Sequence, residues 1–310
     1  MSTTARSVDE EAAASPRRAA APRGGRERLT PRRWLRELSW RYVVGVVALA
    51  FALFPAVWVI SAAFNPTGSL AGQQLIPDPI STVNFETLFA RPFGRWFANS
   101  MIVAIVSSVG TVFLTSLSAY VYSRMQFTGR QLSLIGLLLL QMLPQFLAII
   151  ALFLIMIEIG RFFPTLGLNS LAGLIMIYLG GALGLNTWLM KGFFDSVPRD
   201  LDESALVDGA SHNQVFFRIV IPLVTPILAI VGLFSFVIVL NDFIVQSILL
   251  RDETTYTLPV GLYLFIAEDY GARWGPFAAG ALLAAIPVVA LFLALQRFIV
   301  SGLTAGAVKG

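Results

Sequence analysis

Residues 201–226 read LDESALVDGASHNQVFFRIVIPLVTP, an acidic and glycine-interrupted segment followed by an apolar run. Just before it, Pro198 suits the first turn of a helix, because the early N–H groups of a helix have no partner there. Asp202 and Glu203 place negative charge near that helix start, where the helix dipole favours it. We therefore predict a short helix that begins at Pro198.

The same stretch contains a turn and a second helix start. Gly209 interrupts the first helix, and Ser211 followed three residues later by Gln214 is a capping-box pattern. This pattern predicts a second helix that runs through Val215 to Ile221. Together the two helices form a helix–turn–helix hairpin over residues 198–222.

The first predicted helix has a small apolar face. Leu201 and Ala205, four residues apart, share one face of the helix, with Asp202 and Glu203 beside them. Such a face suits a groove in another protein. The alternative that physical chemistry leaves open is a solvated loop helix.

The composition of the chain indicates a membrane protein. Charged residues make up 13% of the 310 residues, about half of the roughly 25% typical of soluble domains, and the mean hydropathy is +0.76. The chain has no cysteine and one histidine, which excludes disulfides, thiol catalysis and His-rich metal sites. No phosphate-binding loop of the form Gly-x-x-x-x-Gly-Lys-Ser/Thr occurs in the sequence. Energy from a nucleotide must therefore come from another chain.

Several apolar runs are long enough to cross a bilayer, which takes about 20 residues. They predict an all-α membrane protein with six transmembrane helices. The predicted spans are 43–63, 97–121, 132–157, 170–190, 223–245 and 276–300.

Basic residues set the predicted orientation, because Lys and Arg accumulate in cytoplasmic segments. Ten arginines lie in residues 1–41, and most of the 22 Lys and Arg residues fall on one side if the N-terminus is cytoplasmic. Both termini and the hairpin are then cytoplasmic. We expect a disordered basic tail over 1–41 that contacts membrane lipid rather than nucleic acid, a six-helix membrane domain over 42–300, and a flexible tail over 301–310.

Two classes of membrane protein can be weighed from the residues alone, an ion-coupled carrier and a membrane-embedded enzyme. An ion-coupled secondary carrier usually keeps an ionisable residue in the middle of a span, but Glu158 and Asp242 lie near predicted span ends. A membrane-embedded enzyme needs a cluster of nucleophiles, bases or metal ligands, and the sequence suggests no such cluster.

The hairpin resembles the EAA loop of ABC importer permeases, whose pattern is Glu-Ala-Ala, three residues, Gly, nine residues, Ile-x-Leu-Pro. Glu203-Ser204-Ala205, Gly209 and Ile219-Val220-Ile221-Pro222 follow this spacing. Ser204 and Ile221 depart from the pattern without changing charge. The tail 296–310 and the segments 178–181 and 249–258 resemble the smaller permease subunit of maltose/maltodextrin importers, so that the likeness covers about residues 40–310.

The resemblance implies a type I ABC importer permease fold, also called MetI-like, with a cytoplasmic EAA-type coupling helix. It implies a non-catalytic subunit of a bacterial cell membrane transporter for maltose and maltodextrins, with trehalose or another oligosaccharide as alternatives. The implied partners are a larger MalF-like permease subunit, a dimer of MalK-like ATPase subunits and an extracytoplasmic sugar-binding protein. ATP and Mg²⁺ would be bound by the ATPase subunits, and no cofactor by this chain.

The resemblance also assigns roles to three segments. The coupling loop 191–222 would transmit ATPase closure through Glu203, Ser204, Ala205, Asp208, Gly209, Ile219 and Pro222. The outer loop 251–275 would contact the binding protein through Arg251, Asp252, Thr255 and Tyr256, the alternative being an ordinary outer loop with interfacial aromatics. The tail would run between the ATPase subunits with Thr304, Gly306 and Lys309.

Overall fold

The computed structural model describes residues 39–68, 73–143, 145–267 and 273–307, and all regular elements within these ranges are helical. A single 3-10 turn, Pro164–Leu166, lies among them. The helices are α1 Ser39–Phe64, α2 Val83–Phe89, α3 Phe93–Arg124, α4 Arg130–Gln141, α5 Gln145–Phe162, α6 Leu171–Ser196, α7 Arg199–Val207, α8 His212–Leu223, α9 Thr225–Asn241, α10 Ile244–Leu249, α11 Leu258–Tyr263 and α12 Trp274–Ala307.

Four helices are long and apolar enough to cross a membrane, namely α1, α3, α6 and α12. A fifth span is possible if α8 and α9, which are bent by 78° at Val224, count as one. The predicted span 132–157 is divided between α4, which ends at Gln141, and α5, which begins at Gln145. The sequence has Pro144 at this point, and proline lacks the N–H that a continuous helix needs. The all-helical fold is therefore confirmed, whereas a count of six spans is not reached among the described residues.

The hairpin forms as the sequence predicts, with two differences in detail. α7 begins at Arg199, because Pro198 has extended ψ (133°) and stands just before the helix rather than inside its first turn. Gly209 has φ +86°, a left-handed conformation in which glycine carries no steric penalty, and it turns the chain between α7 and α8. The Ser211 and Gln214 capping box is complete, with side chain and backbone bonds in both directions. α8 contains a π-helical segment, Val215–Val220, which the sequence pattern does not reveal.

The chain forms two compact units, one ending at Phe54 and one beginning at Pro55. In the second unit α3 is the central helix, and three buried apolar clusters follow one another along it. One surrounds Tyr120 near its C-terminus, one surrounds Val103, and one surrounds Trp96 near its N-terminus. We call the Tyr120 side the hairpin end and the Trp96 side the loop end. At a rise of about 1.5 Å per residue, the 32 residues of α3 make a helix about 48 Å long, and Trp96 and Tyr120 lie about 36 Å apart along it.

Two described helices extend beyond predicted boundaries, and the first is α1, which begins at Ser39, inside the tail predicted over 1–41. α12 continues to Ala307, so that the backbone of Thr304 and Gly306 is helical where a flexible tail from residue 301 was predicted. Lys309 and the predicted N-terminal tail, up to residue 38, lie outside the described residues.

Candidate functional site

An ion pair attaches the hairpin to the end of α3. Nε of Arg124 lies 2.5 Å from Oδ2 of Asp202, and the two side chains are only 8% and 11% exposed. Nη2 of Arg124 also donates a hydrogen bond to the carbonyl of Val197, at 3.0 Å, in the connection between α6 and α7. A buried charge is costly unless it is paired, so these contacts fix where α7 leaves the helix bundle.

A second set of polar contacts joins the end of α6 to the same turn of α3. Oγ of Ser123 donates to Oδ1 of Asp195 at 2.6 Å, and Nζ of Lys191 pairs with the other oxygen of that carboxylate. Nη2 of Arg199 donates to the carbonyl of Ser123 at 2.8 Å. The last turn of α3 therefore holds both the end of α6 and the beginning of α7.

The inner face of the hairpin is apolar. Val215, Phe216 and Val220 of α8 are buried against Tyr120 of α3 and Phe194 of α6. The ring of Tyr120 lies 5.0 Å from that of Phe216 and 6.5 Å from that of Phe194, edge to face in both pairs. Edge-to-face aromatic pairs add stabilising free energy beyond that of burying their surface. The hairpin is therefore packed against α3 and α6 through side-chain contacts as well as joined to them by polar bonds.

The opposite face of the hairpin is exposed and carries most of the residues predicted to couple to an ATPase. Exposed are Glu203, Ser204, Asp208, Gly209 and Pro222. Ala205 and Ile219 are partly buried, and Ala205 packs against the inner cluster. Leu201, four residues before Ala205 in the same helix, is 43% exposed, and Val207 is 87% exposed. The exposed surface is thus both acidic and apolar.

At the loop end, residues 251–256 form a compact segment that we call the clamp loop. Oδ1 of Asn169 accepts hydrogen bonds from the backbone amides of Arg251, at 3.0 Å, and Asp252, at 3.1 Å, and from the hydroxyl of Thr255. Nδ2 of Asn169 donates to the carboxylate of Asp252. The clamp loop is therefore bound to the residue that precedes the N-cap of α6, Ser170.

The other side of the clamp loop is bound to α3. Nε1 of Trp96 donates to the carbonyl of Glu253 at 3.1 Å. Nδ2 of Asn99 donates to the carbonyls of Thr254, at 3.2 Å, and Tyr256, at 2.9 Å. The clamp loop thus bridges the N-terminal part of α3 and the residue before the N-cap of α6.

A buried polar network continues inward from the clamp loop. Oγ1 of Thr257 donates to Oε1 of Gln246, whose Nε2 donates to the carbonyl of Val239, at 2.7 Å, and to the hydroxyl of Tyr178, at 3.0 Å. That hydroxyl donates to Oδ2 of Asp242 at 2.7 Å. Because Thr257 and Gln246 are almost fully buried, each of these bonds satisfies a group that water does not reach.

The four predicted binding-protein contacts fall into two groups. Arg251 and Asp252 are exposed, whereas Thr255 and Tyr256 are partly buried. The hydroxyl of Tyr256 donates to the carbonyl of Arg251, and the hydroxyl of Thr255 shares its one proton between Oδ1 of Asn169 and the carbonyl of Asp252. The rest of the predicted loop 251–275 is not uniformly open, because α11 lies within it and packs Leu258 and Leu262 into the Trp96 cluster. Gly261 permits this packing, since a Cβ there would lie 2.2 Å from the Trp96 ring.

Sequence reasoning did not single out Asn169, nor did it pair Arg124 with Asp202. The sequence does hold one indication, an asparagine just before a helix N-cap, because asparagine is one of the few residues that tolerate positive φ. In the structure the φ of Asn169 is 58°. The ion pair joins residues 78 positions apart, and no local pattern could reveal it. Among the described residues, no group of His, Asp or Glu could hold a metal ion.

Comparison with known proteins agrees with this arrangement. Residues 112–304 match the family described as "Binding-protein-dependent transport system inner membrane component". The chain is 41% identical to the galactooligosaccharides transport system permease protein GanQ of Bacillus subtilis, over 90% of this chain and 98% of that protein. It is 40% identical to the maltose/maltodextrin transport system permease protein MalG of Photorhabdus laumondii, over 84% of this chain and 92% of that protein.

The fold is also found in a solved structure. A chain of a bacterial ABC transporter involved in the import of the acidic polysaccharide alginate superposes with a TM-score of 0.70 at 21% identity, over 83% of this chain and 94% of that chain. The family match covers more than half of the residues, and it includes the whole hairpin. The chain belongs to the family of inner membrane components of binding-protein-dependent transport systems, which are non-catalytic permease subunits of ABC importers.

Proposed function

We propose that the chain is the permease subunit of an ATP-driven oligosaccharide importer and that the hairpin Arg199–Leu223 receives the movement of its ATPase. The observation that carries the proposal is the Arg124–Asp202 ion pair, which joins α7 to the end of a membrane-spanning helix. A hairpin fixed in this way passes a displacement on to α3 instead of absorbing it. In support, the relatives with about 40% identity are sugar permeases.

The exposed face of the hairpin suits an ATPase surface with an apolar groove and basic rim. Val207 and Leu201 supply apolar contact area, and Glu203 and Asp208 supply negative charge. An exposed apolar patch rimmed by polar residues commonly marks a protein contact. By this proposal Gly209 allows the turn, and the partner is a dimer of ATPase subunits of the MalK type, which also binds ATP and Mg²⁺.

Maltodextrins are the first candidate substrates, as the resemblance of the tail and the clamp loop to maltose permeases suggests. Galactooligosaccharides are the second, because GanQ is 41% identical while MalG proteins are 37% to 40% identical. This small difference favours neither sugar. We also propose a larger permease subunit of the MalF type and an extracytoplasmic sugar-binding protein as partners, with both termini of this chain in the cytoplasm.

Reconstitution tests the proposal. The chain, its larger permease partner and the ATPase are placed in proteoliposomes with ATP inside and the sugar-binding protein outside. ATP hydrolysis and the uptake of labelled maltotriose and labelled galactotriose are then measured, with and without the binding protein. We expect hydrolysis and the uptake of one sugar to rise together only with loaded binding protein.

The outcomes separate the parts of the proposal. Uptake of galactotriose alone would replace maltodextrin by galactooligosaccharide and leave the mechanism intact. Hydrolysis that rises without uptake of either sugar would contradict the substrate class. Uptake that continues without ATP and collapses with the proton or sodium gradient would overturn the importer proposal in favour of a secondary carrier.

A further inference from the structure

One side chain outside the clamp loop holds the first half of that loop. Asn169 accepts from the amides of Arg251 and Asp252 and from the hydroxyl of Thr255, and it donates to the carboxylate of Asp252. We propose that Asn169 is a positioning residue that sets the surface which the clamp loop presents to the sugar-binding protein. This inference rests on the proposed function.

The backbone of Asn169 also contacts the segment that leads into the clamp loop. Its amide donates to the carbonyl of Leu249 at 2.8 Å, and its φ of 58° turns the side chain and the amide toward the segment that follows α10. Asparagine is among the few residues with a Cβ that adopt this conformation readily. The positive φ, the backbone bond and the four side-chain bonds therefore act on one segment, Leu249–Thr255.

The side chains left exposed by this arrangement are those that a binding protein can reach. Arg251, Asp252 and Thr254 are exposed, while the backbone carbonyls of Glu253 and Thr254 are bound to α3. Loss of the Asn169 side chain would release the amides of Arg251 and Asp252 and leave the bonds from Trp96 and Asn99 in place. We expect a local loosening of the exposed residues rather than unfolding of the loop end.

Three substitutions isolate this effect. Asn169→Gly keeps the positive φ, which glycine adopts without strain, and removes the side-chain bonds. Asn169→Asp keeps the three accepted bonds but turns the donor into an oxygen that faces the carboxylate of Asp252. Asp252→Asn restores a donor at that place, so the double variant Asn169→Asp, Asp252→Asn rebuilds the pair with exchanged groups.

The experiment titrates the reconstituted transporter with binding protein loaded with whichever probe, maltotriose or galactotriose, stimulates the wild type. In Asn169→Gly and Asn169→Asp, we expect the half-stimulating concentration of binding protein to rise about tenfold, the effect of losing one to two net hydrogen bonds, while hydrolysis at saturation stays within about twofold. The double variant should return to the value of Asp252→Asn alone. Glu158→Gln, at another exposed polar position, is the matched control and should behave as the wild type.

Contrary results are distinct. If the wild type responds and Asn169→Gly gives the same half-stimulating concentration, the positioning role is overturned and the proposed function stands. The double variant restores the hydrogen bond between the side chains at 169 and 252. If it remains as impaired as Asn169→Asp, that bond does not position the clamp loop and the inference is wrong. A wild-type complex that binding protein does not stimulate overturns the proposed function together with this inference.

Discussion

The guanidinium of Arg124 and the carboxylate of Asp202 form an ion pair in which Nε and Oδ2 are 2.5 Å apart and both side chains are largely buried. Arg124 is the last residue of α3, and Asp202 lies in the first turns of α7. The hydrogen bond from Arg199 to Ser123 and the contact of Tyr120 with Phe216 join the same helix to the hairpin. The position and the movement of the hairpin should therefore depend on the ion pair.

Arg124→Ala should uncouple the hairpin. Removing one partner of a buried ion pair leaves an uncompensated charge and costs about 3–5 kcal/mol. We expect sugar uptake by the reconstituted transporter to fall by more than about tenfold, and less ATPase to co-purify with the chain. The control is Arg161→Ala, because the Arg161–Glu158 pair is exposed and such pairs contribute about 0–1 kcal/mol. Equal uptake by the two variants would contradict the role of the buried pair.

Gly209→Asp should leave the chain in the membrane and abolish uptake. Gly209 is exposed and a Cβ there would meet nothing within 4 Å. Its φ of +86° strains any residue with a Cβ, but Asp is one of the residues that adopt the left-handed conformation most readily, so we expect the substituted chain to reach the membrane. The added negative charge would lie on the face that we propose meets the ATPase. Gly209→Asn has nearly the same shape and an equal tolerance of positive φ without the charge.

We would measure sugar uptake and the amount of protein in the membrane for both Gly209 variants. Retained uptake in Gly209→Asn, with loss in Gly209→Asp, identifies charge as the cause. If both variants transport normally, the hairpin turn does not take part in coupling.

Gly173→Ala should destabilise the loop end. A Cβ on Gly173 would lie 2.5 Å from the carbonyl oxygen of Leu166 and 2.7 Å from that of Gly167, and backbone atoms cannot move aside easily. Gly180→Ala, in the same helix, meets nothing within 4 Å and should be neutral or stabilising by up to about 1 kcal/mol from helix propensity. Thermal unfolding of the purified chain in detergent compares the two; an equal Tm would contradict the close packing of α6 against residues 166–167.

Gln246→Leu should destabilise the buried polar network. The substitution leaves the hydroxyl of Thr257 and the carbonyl of Val239 without the amide group that they now contact, at about 1–3 kcal/mol for each buried group left unsatisfied. Ser247→Ala is the neighbouring control, because the hydroxyl of Ser247 bonds only locally to the carbonyl of Ile244, at 2.9 Å, among the contacts described. A Tm of Gln246→Leu equal to that of Ser247→Ala would show that the network adds no stability.

Local patterns predicted much of the hairpin. The capping box at Ser211 and the turn at Gly209 depend on residues within a few positions of each other, and both occur where expected. The apolar runs likewise identified helices, because hydropathy and length are local properties. The division of span 132–157 into α4 and α5 was not predicted, because a continuous apolar run indicates one helix.

Long-range contacts could not be predicted in the same way. The bonds of Asn169 to the clamp loop join residues 82 to 86 positions apart, and those of Trp96 and Asn99 join residues 155 to 157 positions apart. A single sequence has no period or spacing that encodes such pairs. The residues that hold the candidate contact surfaces were therefore found only in the structure, whereas the exposed residues on those surfaces matched a family pattern.

Because α3 is held at the clamp loop by Trp96 and Asn99 and at the hairpin by Ser123 and Arg124, it acts as a strut between the two surfaces of the protein. Trp96 and Arg124 lie about 42 Å apart along this helix, so a tilt of about 5° about one anchor displaces the other by roughly 4 Å, more than the length of a hydrogen bond. If the proposed function holds, a load placed on the clamp loop would therefore reach the hairpin through tilting of α3.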